Sequence, residues 1–176
     1  MIGGSLASGV HGVLRGTMDV DLVADIRETQ VADFAARLSG EFYADADMMR
    51  EALCAGRAFN VIHLGSSYKF DIFPPSRDPY QQMQFRRRAV REIALGGVRL
   101  AVPVASAEDA LLVNLVWYRA GGEVSERQWN DVRGIVAALG AILDRAYLEQ
   151  WAAYLKVRIC WPLPCAVGSA ADASAS

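Results

Sequence analysis

The sequence is poor in the residues that mark several common protein classes. Cysteines number three, and Cys54, Cys160 and Cys165 follow no framework spacing. An odd count of this kind argues against a disulfide-stapled secreted domain and points to a reducing, cytoplasmic setting. The two histidines, His11 and His63, have no ligand partner at metal spacing, so a Cys/His zinc site is not expected. Charge of one sign is also missing. With 18 Lys+Arg against 20 Asp+Glu the net charge is −2, which excludes a global basic field for a long nucleic acid. No apolar run reaches transmembrane length, and Met1-Ile2-Gly3-Gly4 does not resemble a signal peptide; no membrane partner is expected. There is no internal repeat.

What is there is a chain of 176 residues, 53% of them hydrophobic. That suffices for one domain with a core, or for a core with a small helical appendage. Residues 5–12 read as a short helix with Ser5 at its N-cap. DVDLVADI, residues 19–26, alternates: Val20, Leu22 and Ala24 share one face, and Asp19 and Asp21 the other, the pattern of a half-buried strand. Helices are expected at 29–38 and 46–55. Strands at 58–64 and 68–73 form a hairpin around Gly65-Ser66-Ser67, stopped by Pro74-Pro75. A helix at 78–88 ends in Arg86-Arg87-Arg88, read as a solvated helix end, with acceptor RNA binding the weaker alternative. Two strands within 89–104 are split by Gly96-Gly97. Helices follow at 106–120, 125–139 and 144–155, the first opened by Ser106. The fold class expected is α/β (α+β): a mixed sheet flanked by helices over 1–104, a helical C-terminal subdomain over 105–157, and a partly disordered tail over 158–176.

Asp19 and Asp21 carry the first chemical signal. Residues i and i+2 of a strand point to the same side, so two carboxylates stand together, and like charges that close are costly without a cation. Hard oxygen donors favour Mg²⁺ or Mn²⁺. Asp71 sits in the apolar strand YKFDIF; if that strand lies beside the first, three carboxylates converge. Such a cluster is able to hold two metals against the attacking and leaving oxygens of an in-line phosphoryl displacement. Gly3-Gly4-Ser5 precedes the first helix, where glycine permits close approach of the backbone to a phosphate. Arg15 and Thr17, in the loop that follows, are placed to face a triphosphate.

Gly4-Ser5, a short helix, Asp19-Val20-Asp21-Leu22 and the later Asp71 resemble the signature of the DNA polymerase β-like nucleotidyltransferase superfamily. GGSLASGVHGVLRGTMDVDLVADI is similar to small bacterial nucleotidyltransferase-like proteins, including relatives of AbiEii abortive-infection toxins, and VWYRAGGEVSERQWNDV resembles their C-terminal helical part. The resemblance spans residues 2–157. It implies a metal-dependent transfer of NMP from an NTP to an acceptor (RNA, protein or small molecule) with release of pyrophosphate, and a possible antitoxin partner. Asp19 and Asp21 would bind both metals, and Asp71 would be the third ligand and the base. Gly4 and Ser5 would hold the β/γ-phosphates, with Arg15, Thr17, Lys69 and Arg127 also toward the nucleotide. Two differences from the pattern stand out. Only Met1-Ile2 precede the Gly-Gly-Ser, so the usual first strand is nearly missing, and Asn114 stands where relatives often have a lysine.

Competing readings are plain. Asp19 and Asp21 suit a solvated strand face, and Asp71 a structural pair with Lys69, its neighbour at i−2. Asp131 suits a cap or a surface pair with Arg127 at i−4, whereas the resemblance would bring it toward the active site. Trp117, Tyr118, Trp129 and Trp151 are expected in the core. Arg119, Arg127 and Arg133 are expected to wall the cleft opposite the carboxylates. The alternative function is a catalytically inactive nucleotide-binding or interaction protein of the same fold.

Overall fold

The computed structural model describes residues 1–12, 18–95 and 98–159. Arg15, Thr17, Cys160, Cys165 and nearly all of the expected tail lie outside them.

Alternation along two strands determines where the acidic residues go. β1 (Asp19–Val23) pairs in parallel with β4 (Lys69–Phe73), setting Asp19 opposite Lys69 and Asp21 opposite Asp71. β4 runs antiparallel to β3 (Phe59–His63), and β3 to β2 (Phe42–Tyr43), so the sheet order is β1-β4-β3-β2. The apolar face of this sheet is covered by α2 (Val31–Leu38), entered through a 3-10 turn at Glu28–Gln30, and by α3 (Ala46–Cys54). Val31, Met49, Ala52, Phe59, Val61 and Ile72 form the buried cluster between them. Because a strand alternates faces, burying Ile72 against these helices sends Lys69 and Asp71 to the other side, and burying Val20 does the same for Asp19 and Asp21.

After β4, α4 (Pro79–Arg87) starts at the Asp78 cap, and β5 (Ala89–Leu95) and β6 (Val98–Val104) form a separate two-stranded sheet. Ile2 joins the two sheets, bridging antiparallel to Leu22 and parallel to Val104. Its N–H donates to Pro103 O at 2.7 Å, and its carbonyl accepts from Ala105 N at 3.0 Å. Ile2 thus pairs with both sheets although the usual first strand is nearly missing.

α1 (Gly4–Val10) packs on α5 (Ala107–Ala120), which is joined by α6 (Glu126–Leu139) and α7 (Arg145–Leu155). Leu111, Leu112, Val132, Ile135 and Leu148 are fully buried there, in one cluster with Ile2, Ala7, Tyr80 and Val104. Each such aliphatic side chain contributes roughly 1.5–3 kcal/mol by leaving water. The fold is thus mixed α/β, with helices on one face of a mixed sheet and a helical C-terminal part.

Several expectations are corrected. The first helix is capped by Gly3 without a side-chain hydrogen bond, and Ser5 lies inside it. The first strand stops at Val23. β2 was not foreseen, since two residues carry no period. Trp117 is 60% exposed and not in the core, whereas Trp151 is buried. Asp131 is 1% exposed, so it is no surface residue. Arg87 is not solvated at the helix end: it pairs with Glu108 at 3.2 Å and lies over the Tyr147 ring. Among the described residues, no helix is long and apolar enough to cross a membrane.

Candidate active site

Three carboxylates share the face of the sheet opposite α2 and α3. The parallel register places Asp21 directly across from Asp71, and Asp19 two residues before Asp21. Asp19 is the most open and Asp71 the more covered of the two that touch Lys69, with side-chain exposures of 52% and 24%. Burial first, then the negative charges of Asp71 and Asp19, push the Asp21 carboxyl above its ordinary value, against weaker pull from Lys69 and Arg127. A carboxyl raised in this way sits where a further cation would be welcome.

One cation is already there. Lys69 Nζ lies 2.9 Å from Asp71 Oδ2 and 3.7 Å from Asp19 Oδ1. Its hydrogen bond to Asp71 and the charge of that carboxylate raise the ammonium above its usual value. The structural pair weighed from the sequence is therefore formed. Lys69, expected to face a nucleotide, is engaged by carboxylates.

Gly4 closes the other side of the site. It adopts φ +52°, and a Cβ built on it would stand 1.8 Å from Asp21 Oδ2. Glycine is required here twice over, by the left-handed backbone and by the approach to Asp21. The sequence expected this glycine to admit a phosphate; the close approach seen is to the Asp21 carboxylate. The next residue, Ser5, accepts a hydrogen bond through Oγ from Arg127 Nη2 at 2.8 Å. Arg127 comes from the first turn of α6 and also acts electrostatically on Asp21. Of the three arginines expected to wall the cleft, this is the one with contacts toward Ser5 and Asp21. Arg119 instead donates to the carbonyl of Lys156, and Arg133 is exposed.

Asn114 acquires a role that sequence reasoning missed. It is 8% exposed, and its amide donates to Ser8 Oγ at 2.9 Å and to Ala110 O at 2.9 Å. Ser8 is fully buried in α1. Asn114 thereby ties α1, the element carrying Gly4 and Ser5, to α5. The only sequence signal was an amide within an otherwise apolar helical stripe, LLVNLV. His11 adds a second tie, with Nε2 2.8 Å from Ala105 O.

The fit of a divalent ion can be judged from these contacts. The donors on offer are hard carboxylate oxygens, which suit Mg²⁺ or Mn²⁺. As they stand, however, no three His, Cys, Asp or Glu side chains among the described residues are gathered tightly enough to hold an ion, and one Asp71 oxygen is taken by Lys69.

No protein-family model matches the chain, and no curated protein matches it in sequence. Two solved structures overlay on most of it. One is the solution structure of the antibiotic-resistance factor ANT(2'')-Ia, at 18% identity and a TM-score of 0.47, covering 87% of this chain and 83% of that one. The other is the crystal structure of an antigenic nucleotidyltransferase-like protein from Paracoccidioides brasiliensis, at 16% identity and a TM-score of 0.47, covering 90% and 84%. The second of these structural neighbours is nucleotidyltransferase-like by name. At this identity and overlap they establish nothing about chemistry, which has to be argued from the site itself.

Proposed function

We propose that this chain is a metal-dependent nucleotidyltransferase that moves NMP from an NTP to an acceptor and releases pyrophosphate. The observation that carries the reading is the pairing of Asp21 with Asp71 across a parallel ladder, beside Asp19 and on the open face of the sheet. A surface with only a structural purpose has no reason to stack three carboxylates and then force a glycine against one of them. Asp19, Asp21 and Asp71 are not gathered closely enough to hold an ion as they stand; to hold Mg²⁺ or Mn²⁺, which would supply charge neutralisation at the attacking and leaving oxygens, they would have to draw together with Lys69 released from Asp71. Asp71 is also the group to accept the acceptor hydroxyl's proton, once Lys69 has left its Oδ2. Ser5 Oγ and Arg127, which hydrogen-bond each other, would bind phosphate oxygens, and Gly4 would admit the approach. Catalysis would come from positioning and electrostatics more than from covalent chemistry. Residues 1–104 supply the carboxylates and residues 105–157 the facing arginine.

The acceptor belongs to one of three classes: an RNA end, a protein hydroxyl or a small molecule. A cytoplasmic toxin–antitoxin or abortive-infection component is the biological setting we favour. A second reading, a catalytically inactive binding protein, is favoured by the Lys69–Asp71 pair and by Asn114 being spent on Ser8. Incubation with each α-labelled NTP, Mg²⁺ and cell extract separates the readings. Label in RNA, protein or a small solute, lost in Asp21→Asn, supports transfer and identifies the acceptor class. No label from any NTP supports the inactive reading.

A further inference from the structure

Where the β1–β4 ladder ends, a cleft of about 150 Å³ is lined by Val23, Pro75, Gln84, Phe85 and Arg86, among others. Val23 pairs with Phe73 two positions beyond the Asp21–Asp71 rung, and alternation puts its side chain on the carboxylate face. Two residues of a strand span about 7 Å, which sets the distance from Asp21 to the Val23 wall. Gln84, on α4, is the unusual member of the lining. It is 9% exposed, yet its side-chain amide has no hydrogen-bond partner among the described residues. Among those residues the one buried side-chain N or O without a partner is Arg87 Nε, so the Gln84 amide is not sealed in the protein and opens into the cleft. The helix has no need of it: Asp78 caps α4, and Met83 packs against the helical core. A covered amide with both donor and acceptor unused is costly unless something outside the chain pairs with it.

The other walls narrow the ligand. Val23 and Pro75 are apolar and Phe85 is aromatic, while no acidic side chain of the described residues lines the cleft, which disfavours a cation. Arg86 is exposed and has no ion pair among the described residues, so it is free to meet an anionic group. A cavity of this volume takes a single six-membered ring. We propose that the cleft binds the base of a pyrimidine nucleotide. The ring lies against Val23, Pro75 and Phe85, the Gln84 amide pairs with a base edge that sets a donor beside an acceptor, and Arg86 meets the phosphate. Neither a metal ion nor the three carboxylates take part. Base binding here therefore stands apart from the proposed transfer, in which no residue reads a base.

The test is calorimetry of UMP and CMP binding to the whole protein in EDTA, with ribose 5-phosphate as the control that lacks a base, and ¹⁵N spectra of the side-chain amides. At least one of the two nucleotides is expected to bind the wild type about tenfold more tightly than ribose 5-phosphate and to shift the Gln84 amide signal. Gln84→Leu should bind that nucleotide about tenfold more weakly. Its melting temperature should hold or rise, because no hydrogen bond within the protein is lost. Gln84→Met provides the same comparison if the Leu variant fails to fold. Arg86→Ala should weaken the nucleotide and leave the free nucleoside unchanged. Equal affinity in wild type and Gln84→Leu overturns the assignment. Ribose 5-phosphate binding as tightly as UMP and CMP also overturns it, since the cleft would then be a phosphate site only, and so does failure of both nucleotides to bind. Asp21→Asn, which tests the transfer reading, should bind UMP and CMP like the wild type, so the two readings fail separately.

Discussion

Asp109 and Asp21 are two carboxylates under the same stress with different resolutions. Burial pushes both above the ordinary value. Asp109, in the helical core, is fully buried. Its Oδ1 accepts from Tyr147 Oη at 2.7 Å and its Oδ2 from Ser106 Oγ at 2.7 Å, while Tyr80 Oη donates to its carbonyl at 3.3 Å. Burial and Asp109 together drive the Tyr147 and Tyr80 hydroxyls up, so both stay protonated as donors. Beside them, burial of Glu108 is outweighed by the Asp144 N–H and by Ser106 and Arg87, which leave it below its usual value. Asp21, on β1, is instead set against two further carboxylates. A buried acid ringed by donors is a structural element. One ringed by acids is a site that wants a cation.

Substitutions sharpen that contrast. The largest effect should come from Asp21→Asn, which is expected to lower nucleotidyl transfer by about a thousandfold. Its thermal stability should hold or rise, because a half-buried charge beside two like charges has been removed. A loss of stability comparable to that of a core mutant would break the comparison. Asp109→Leu should behave in the opposite way. Leaving the hydroxyls of Tyr147 and Ser106 without their acceptor is expected to cost roughly 2–4 kcal/mol by denaturant titration, with metal binding kept in the fraction that stays folded. Gly4→Ala falls between the two. Strain at φ +52° and a Cβ overlapping Asp21 should cost about 1–2 kcal/mol and weaken metal binding as well, seen in parallel melting and Mn²⁺ titrations.

Much of this contrast was legible in the sequence on the strand side. Period-2 alternation in DVDLV and KFDIF is enough to place Asp19, Asp21 and Asp71 on polar faces. Only the pairing partner decides whether those faces coincide, and a parallel crossover leaves no local signal. Ser106 and the helix it caps were equally visible, because a cap is a local device. Asp109, Asn114 and Asp131 were not. Each is a polar residue within a helical stripe, and its burial depends on partners 38 residues away for Asp109 and 106 residues away for Asn114. Trp117 misled for the reverse reason: hydrophobic size predicts burial, but its place on α5 leaves it to solvent.

The comparison also has a pH signature. A carboxyl raised in the folded state binds more protons folded than unfolded, so its cost is absent below the unfolded value near 3.8 and grows as pH rises toward the folded value. Asp21→Asn should therefore match the wild type in melting temperature near pH 4. It should gain on the wild type as pH rises, and the gain should level off once pH passes the folded value. A gap that narrows with rising pH would contradict the shift. The smallest effect expected is that of Arg127→Ala, whose hydrogen bond to Ser5 is solvent-exposed. It should raise the apparent KM for NTP about tenfold and change stability by about 0–1 kcal/mol.

The central claim, that the Asp19–Asp21–Asp71 face takes a metal-bound nucleotide, is tested most directly by calorimetry of NTP binding with Mg²⁺ and with EDTA, on wild type and Asp21→Asn. The account predicts binding by the wild type in Mg²⁺ only, and none by Asp21→Asn in either buffer. Equal affinity in EDTA, or undiminished binding by Asp21→Asn, would contradict it.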